Sequence, residues 1–368
     1  TIGDNALTSV TDKDWNYEIQ LDNPDILKLN VIPKYSLANV KIEKDNQVIS
    51  NNSEVSLVGG NNIYKVTITS TDQTVTKEYK INIKVRQVEK VSIFGKQYEV
   101  IDAEPTLTTS SNKSSDASGL YKSTATNTGE PTYYFRGAVE NNYVSFAGFT
   151  WRIVRINEDG TIRIVMQDGI NNNTKYLFHE KTDDVNEYSY MYYTGSQIKI
   201  ILENWYTDNI NKNINYSQHV ANGNYYCEQA RTKQRESAFS GNAIMEIYTN
   251  YVPNFKCIFD GNNKGIVNSN IGLITYDEVI YAGGYPGAYA IYANPKYYLY
   301  NDKGFSFFTM SPSGVNDYYA NGIWYVVSTG NISTDRFYGT EILRPVINLK
   351  SNITVTGTGT SSDPFVVS

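Results

Sequence analysis

Phe149-Thr150-Trp151-Arg152-Ile153-Val154-Arg155-Ile156, then Asn157-Glu158-Asp159-Gly160, then Thr161-Ile162-Arg163-Ile164-Val165-Met166, is a stretch that turns back on itself. Two apolar, β-branched runs flank a short polar turn that ends in glycine, which predicts a β-hairpin. Downstream the period changes. Ile198, Ile201, Leu202 and Trp205 fall at i, i+3, i+4 and i+7, one face of a helix, and Thr194 with Gln197 offers a capping box. A second, shorter helix is predicted from Thr275-Tyr276-Asp277-Glu278, again a capping-box pattern, ending near Gly283-Gly284. Apolar strands return at residues 305–310, 323–327 and 343–349. Hairpin, helices, long polar connections and terminal strands describe an α+β domain with long loops.

Upstream the pattern is wholly β. Tyr79-Lys80-Ile81-Asn82-Ile83-Lys84-Val85-Arg86 alternates apolar and polar residues, as a strand with one buried face does. Tyr64, Val66 and Ile68 repeat the alternation after the turn Gly59-Gly60-Asn61-Asn62, and Val55-Ser56-Leu57 and Val40-Lys41-Ile42 add shorter strands. Short strands with frequent turn signals predict a small β-sandwich over residues 1–87. Residues 88–126 read as a transition or linker, because 108–118 are nearly all Ser, Thr, Asn and Asp and cannot bury a core. Ile93-Phe94-Gly95 and Tyr98-Glu99-Val100 offer a strand within it that docks on either neighbour. The α+β domain then spans 127–368, and the fold class is mainly β plus α+β.

The run from Val55 through Gly60 and Asn62 to Tyr79-Lys80-Ile81-Asn82-Ile83 resembles the bacterial cadherin-like β-sandwich family. That resemblance implies a spacer module of a cell-surface protein, without catalytic residues, its opening strand cut short in this chain. The remainder carries Trp151-Arg152-Ile153-Val154, Leu202-Glu203-Asn204-Trp205-Tyr206, Leu273 to Val279, Thr309-Met310-Ser311-Pro312 and Leu343-Arg344-Pro345-Val346-Ile347-Asn348-Leu349. In order and spacing these resemble an uncharacterised bacterial family with a C-type-lectin-like fold, common in surface proteins of gut-dwelling Gram-positive bacteria. The resemblance implies a ligand face in the loops before the last strands.

Composition excludes several functions. The 368 residues carry a net charge of −6, without the basic patch that neutralising nucleic-acid phosphate requires. No apolar run approaches the roughly 18 residues of a membrane span. The start at Thr1, with neither Met nor an apolar leader, is expected of a mature fragment whose anchor lies elsewhere. The expected location is extracellular or on the cell surface. Cys227 and Cys257 can close a disulfide loop of roughly 30 residues, with two buried reduced thiols as the alternative.

Catalytic and metal signatures are sparse. His179 and His219 lack zinc spacing, and neither a phosphate-binding glycine loop nor a Gly-x-Ser-x-Gly elbow occurs. The carboxylate pairs Asp183/Asp184 and Asp277/Glu278 lie in a polar loop and at a helix cap. Calcium motifs of sugar-binding lectins are missing from the expected loops; Asn316, Asp317 and Asp335 supply only a weak set of oxygens, and no cofactor is expected. The distant cysteines do not match the close pair of the formylglycine-generating enzymes.

What remains is polar and aromatic display. Asn316, Asp317, Tyr318 and Tyr319 in one loop, with Asp335, Arg336, Phe337 and Tyr338 in the next, combine ring faces with directional hydrogen bonding. Tyr188, Tyr190 and Tyr192 alternate on one strand face beside Tyr193, for core or for ligand, and Trp151, Trp205 and Trp324 are assigned to the core. The expectation is a non-enzymatic, adhesin-like recognition protein binding a carbohydrate or protein ligand on host or neighbouring cells. A structural subunit of a surface appendage or envelope assembly is the alternative, and a carbohydrate-active enzyme is disfavoured.

Overall fold

A computed structural model describes residues 8–11, 16–22, 26–107, 116–180, 192–223, 225–228, 252–257, 265–286, 297–300, 303–314 and 322–368. Most of its regular structure is β, in several sheets. The chain divides into two units, Thr1–Glu89 and Lys90–Ser368.

The first unit contains β1 (Thr8–Thr11), β2 (Asn16–Asp22), β3 (Ile26–Leu29), β4 (Asn39–Lys44), β5 (Gln47–Ile49), β6 (Ser53–Ser56), β7 (Gly60–Thr69) and β8 (Thr76–Arg86). One sheet runs β1-β2-β8-β7-β4-β5, and β3 pairs with β6. The alternation turns Tyr64 and Val66 of β7 and Ile81, Ile83 and Val85 of β8 inward, where Leu29 of β3 and Val55 of β6 join the same core. The Gly60-x-Asn62 pattern has a local cause. Gly60 turns at φ 89°, and the fully buried Asn62 donates to the Val58 carbonyl at 2.7 Å while accepting from the Val58 N–H at 3.0 Å. Its amide clamps the turn from inside the core, where an unsatisfied polar group would be costly.

The segment expected as a linker belongs to the second unit. β9 (Lys90–Ile93) and β10 (Lys96–Glu99) form a hairpin, and Ile93, Tyr98 and Val100 enter the main core of that unit. β11 (Gly119–Ser123) pairs along its length with β12 (Thr132–Arg136). The unit boundary therefore falls at residue 89 and not across 88–126. A few apolar residues at alternating positions outweigh the polar composition around them.

The larger sheet adds β13 (Tyr143–Phe146), β14 (Phe149–Ile156), β15 (Ile162–Met166), β24 (Val346–Leu349), β25 (Val355–Thr356) and β26 (Phe365–Val367). Its order is β11-β12-β14-β13-β26-β25, with β15 bridging β14 and β24. The expected hairpin is β14–β15, turning at Gly160 with φ 80°. A second sheet joins β16 (Lys175–Leu177), β19 (Tyr285–Pro286), β20 (Phe307–Gly314), β21 (Gly322–Val326), β22 (Asn331–Arg336) and β23 (Thr340–Ile342) in the order β16-β23-β20-β21-β22-β19. A short ribbon pairs β17 (Tyr225–Cys227) with β18 (Ile266–Asn268).

Both expected helices form, α1 (Gln197–Tyr206) and α2 (Tyr276–Ala282). The capping box at α2 is complete, with Thr275 and Glu278 bonding reciprocally and Gly283 left-handed at the C-cap. The one expected at α1 is not. Ser196 is its N-cap, and Thr194 gives its N–H and hydroxyl to the Glu228 carboxylate at 2.7 and 2.8 Å. The distant carboxyl takes both donors of Thr194, so the local cap loses them. Trp151, Trp205 and Trp324 are buried, as expected.

Candidate functional site

The register of the second sheet positions the expected ligand face. Gly314 at the end of β20 pairs with Gly322 at the start of β21, and Gly322 pairs with Arg336 at the end of β22. The end of β20 and the start of β21 thus lie beside Arg336. Asn316, Asp317, Tyr318 and Tyr319 themselves lie outside the described residues.

Of the other four, three reach the surface. Arg336 is exposed, while Asp335 and Tyr338 are half-buried. The Arg336 Nη1 donates to the Tyr338 hydroxyl, and its guanidinium lies 5.5 Å from the Tyr338 ring centre. Asp335 Oδ1 accepts from the Arg336 N–H at 2.7 Å. Gly339 permits this arrangement, because a Cβ there would collide with the Asp335 carboxylate. Phe337 departs from the expectation of ligand contact. It is only 4% exposed and belongs to the core. A segment far away in sequence meets it there: the His179 N–H donates to the Phe337 carbonyl at 2.9 Å, and the two rings meet edge-on at 6.2 Å.

A polar group absent from the sequence-based expectation joins this end. Glu341 in β23 is nearly buried and lies 3.2 Å from Lys175 Nζ in β16. Burial pushes its carboxyl above the usual range, Lys175 offsets part of that, and the charge of Asp335 adds to it. Tyr325 in β21 is likewise pushed up by burial, relieved by a hydrogen bond with Ser333 and reinforced by Asp335 and Glu341. A carboxylate just ahead of the apolar run Ile342-Leu343 is the signal that marks Glu341. Arg336, Asp335 and Tyr338, with Glu341 and Tyr325 nearby, therefore offer donors, acceptors and ring faces at one sheet end.

A second polar constellation is buried under α2. Arg152 pairs with Val165, and Arg155 pairs with Arg163, across a register shift between Ile153 and Arg155. Arg163 in turn pairs with Asn348. The extra residue returns Arg155 to the face that bears Arg152 and Arg163. Glu278 of α2 sits among them, with Oε1 2.6 Å from Arg163 Nε and 3.1 Å from Arg155 Nε, while Oε2 caps the Thr275 N–H at 3.0 Å. Burial would raise its carboxyl, but Arg163, Arg155 and the Thr275 N–H outweigh burial and hold it below the ordinary range. At the other end of α2, Arg136 Nη1 donates to the carbonyls of Ile280 and Tyr281 at 2.8 and 2.9 Å, where cations complement the helix dipole.

Arg344 and Arg152 rely on carbonyls and rings. Arg344 donates to Met166 and Leu299 carbonyls at 2.9 and 2.8 Å and lies over Phe307. Burial pulls its guanidinium down to about 10, so it stays protonated at neutral pH. Arg152 donates to Asn142 Oδ1 and the Val139 carbonyl at 2.7 and 2.6 Å. These contacts knit sheet, helix and the 297–300 segment together.

The remaining candidates fall out as follows. Glu278 is held ionised, the opposite of what a general acid needs; Asp183 and Asp184 lie outside the described residues. Among the described residues no group of three or more His, Cys, Asp and Glu is arranged to hold a metal ion. Tyr193 is buried with its hydroxyl on the Ile271 carbonyl at 3.2 Å, a core role, and Tyr192 is half-buried. Tyr188 and Tyr190 are outside the described residues. Cys227 and Cys257 are both buried. Compared with known proteins, the chain matches no family model, no curated protein and no solved structure.

Proposed function

We propose that the chain is a non-enzymatic recognition protein, secreted or displayed on a cell surface, that holds a glycan at the Asp335–Arg336–Tyr338 end of its second unit. In this reading the first unit is a β-sandwich spacer and the second a lectin-like α+β domain. One relationship carries the proposal. Gly314, Gly322 and Arg336 are successive register partners, so the end of β20 and the start of β21 lie beside Asp335 and Arg336 of β22.

The chemistry suits a ring bearing hydroxyls. Arg336 supplies a fork of donors, Asp335 and Glu341 supply acceptors, and Tyr338 supplies a partly exposed ring face. A strand-anchored site loses little freedom on binding, because the scaffold already orders its side chains.

A glycan array run with and without EDTA tests the reading, with Arg336→Ala/Tyr338→Ala as the comparison. Binding that disappears in the variant supports this face, and EDTA sensitivity adds a calcium requirement. Retained binding in the variant removes the face from consideration. A blank array, with capture of a partner from host-cell surface extracts, moves the ligand to protein. Self-association in sedimentation at rising concentration points to an assembly subunit, and release of reducing sugar would reinstate an enzyme.

A further inference from the structure

Cys227 closes β17, and Cys257 follows about 30 residues later. The fold brings them back together. The Cys227 Sγ lies 3.7 Å from the carbonyl oxygen of Lys256. That carbonyl belongs to the peptide leading into Cys257, so standard peptide dimensions put the Cys257 Cα within about 7 Å of the Cys227 sulfur. Both residues are buried, at 7% and 6% exposure.

Each cysteine is also pinned from its other side. Tyr225–Cys227 is laddered to Ile266–Asn268, and the next residue, Glu228, donates its N–H to the Gly265 carbonyl at 2.9 Å. The Phe255 N–H donates to the Ala125 carbonyl at 2.8 Å, and the Cys257 N–H to Asn127 Oδ1 at 2.7 Å. Independently anchored backbones thus hold the Cys227 sulfur beside the peptide that carries Cys257.

We infer that Cys227 and Cys257 are a redox pair that forms an intramolecular disulfide by exchange with a small-molecule disulfide. One thiolate attacks the oxidant's sulfur–sulfur bond and releases one thiol. The second cysteine then attacks the mixed disulfide and releases the other thiol. The protein loses two protons and two electrons, and the oxidant takes them up to become two thiols. The bond joins two packing anchors. Glu228, beside Cys227, holds Thr194 ahead of α1, and Phe255, two residues before Cys257, lies under the Arg155 guanidinium at 4.8 Å. Oxidation therefore straps the approach to α1 onto the edge of the larger sheet near Asn127.

The test uses the whole chain, once folded and exposed to oxidised glutathione, and once refolded from denaturant in the same oxidant. Each sample is then alkylated under denaturing conditions and weighed. The expected product is lighter by two hydrogens, carries no alkyl group on either cysteine, and yields one peptide joining Cys227 to Cys257. Its melting temperature should exceed that of the reduced chain by roughly 5–10 °C. Cys257→Ser should leave Cys227 open to alkylation and cancel the oxidant-dependent shift. Alkylation of both cysteines after refolding in oxidant overturns the inference. So does glutathione retained on one cysteine, or a melting shift that persists in Cys257→Ser.

Discussion

Arg163 and Glu278 meet at 2.6 Å with only 2% of either side chain exposed, the most deeply buried ion pair of the described residues. The pair joins the central strand β15 to α2, and the same carboxylate completes the helix cap and engages Arg155. Removing the carboxylate charge leaves two buried guanidiniums short of a counter-charge. Glu278→Gln is expected to cost about 3–5 kcal/mol of unfolding free energy, read from urea denaturation. A loss below about 1 kcal/mol would show that the pair contributes little beyond what an amide can replace.

The same carboxylate shapes the acid limb of stability. Its folded pKa is below its ordinary value of 4.5, so the unfolded chain binds the proton more tightly. The stabilisation is fully present above 4.5 and is lost as pH falls through the lower, folded value. Wild type should therefore destabilise more steeply below pH 4.5 than Glu278→Gln. Parallel acid limbs in the two proteins would contradict the assignment.

Glu228 predicts the opposite slope. Burial raises its carboxyl, with the Thr194 N–H, its hydroxyl and Lys199 offsetting only part of that. A raised carboxyl costs stability as pH climbs from the unfolded pKa through the folded one, because ionisation is then disfavoured in the native state. Glu228→Gln keeps an acceptor for Thr194 and should melt higher than wild type at neutral pH, the difference closing in acid. An unchanged or lower melting temperature at neutral pH would mean that the charged bond to Thr194 outweighs the desolvation.

Local features were legible in the sequence and long-range ones were not. The β14–β15 hairpin and the Thr275–Glu278 cap depend on neighbours a few residues apart, so pattern alone revealed them. Residues 88–126 read as a transition because 108–118 are polar, and the strand expected near Ile93 and Tyr98 could dock on either neighbour; which one it joins is decided by a core assembled from residues far along the chain. Alternation through β14 puts Arg155 on the face opposite Arg152, and only the register shift returns it. Phe337 sits in a polar run, and His179, which its ring and carbonyl meet, is more than 150 residues earlier. The exposure of Arg336 was therefore readable from its polar run, and the inward turn of the Phe337 ring was not.

Gly272 shows how tightly the centre is packed. A Cβ there would run into the Tyr226 ring. That ring cannot swing aside, because its hydroxyl donates to the Val346 carbonyl at 2.9 Å and Arg163 lies over its face at 4.8 Å. Gly272→Ala should cost about 1–3 kcal/mol through overpacking. A neutral result in denaturant titration would mean that the β17–β18 ribbon yields more readily than its contacts suggest.

Adjacent rings at the ligand face should separate core from surface. Phe337 is 4% exposed and packs against His179 and Tyr338, so Phe337→Ala removes buried area and opens a cavity. The expected loss is about 3–5 kcal/mol. Tyr338 is half-buried with the Arg336 guanidinium against its ring, so Tyr338→Ala should change stability by no more than about 1 kcal/mol. Binding should respond in the reverse sense. Below its melting temperature Phe337→Leu, which keeps an apolar core side chain, should retain ligand affinity, whereas Tyr338→Ala should lose it at least tenfold. If Phe337→Leu loses affinity while remaining folded and Tyr338→Ala does not, the contact surface lies on the other side of the strand.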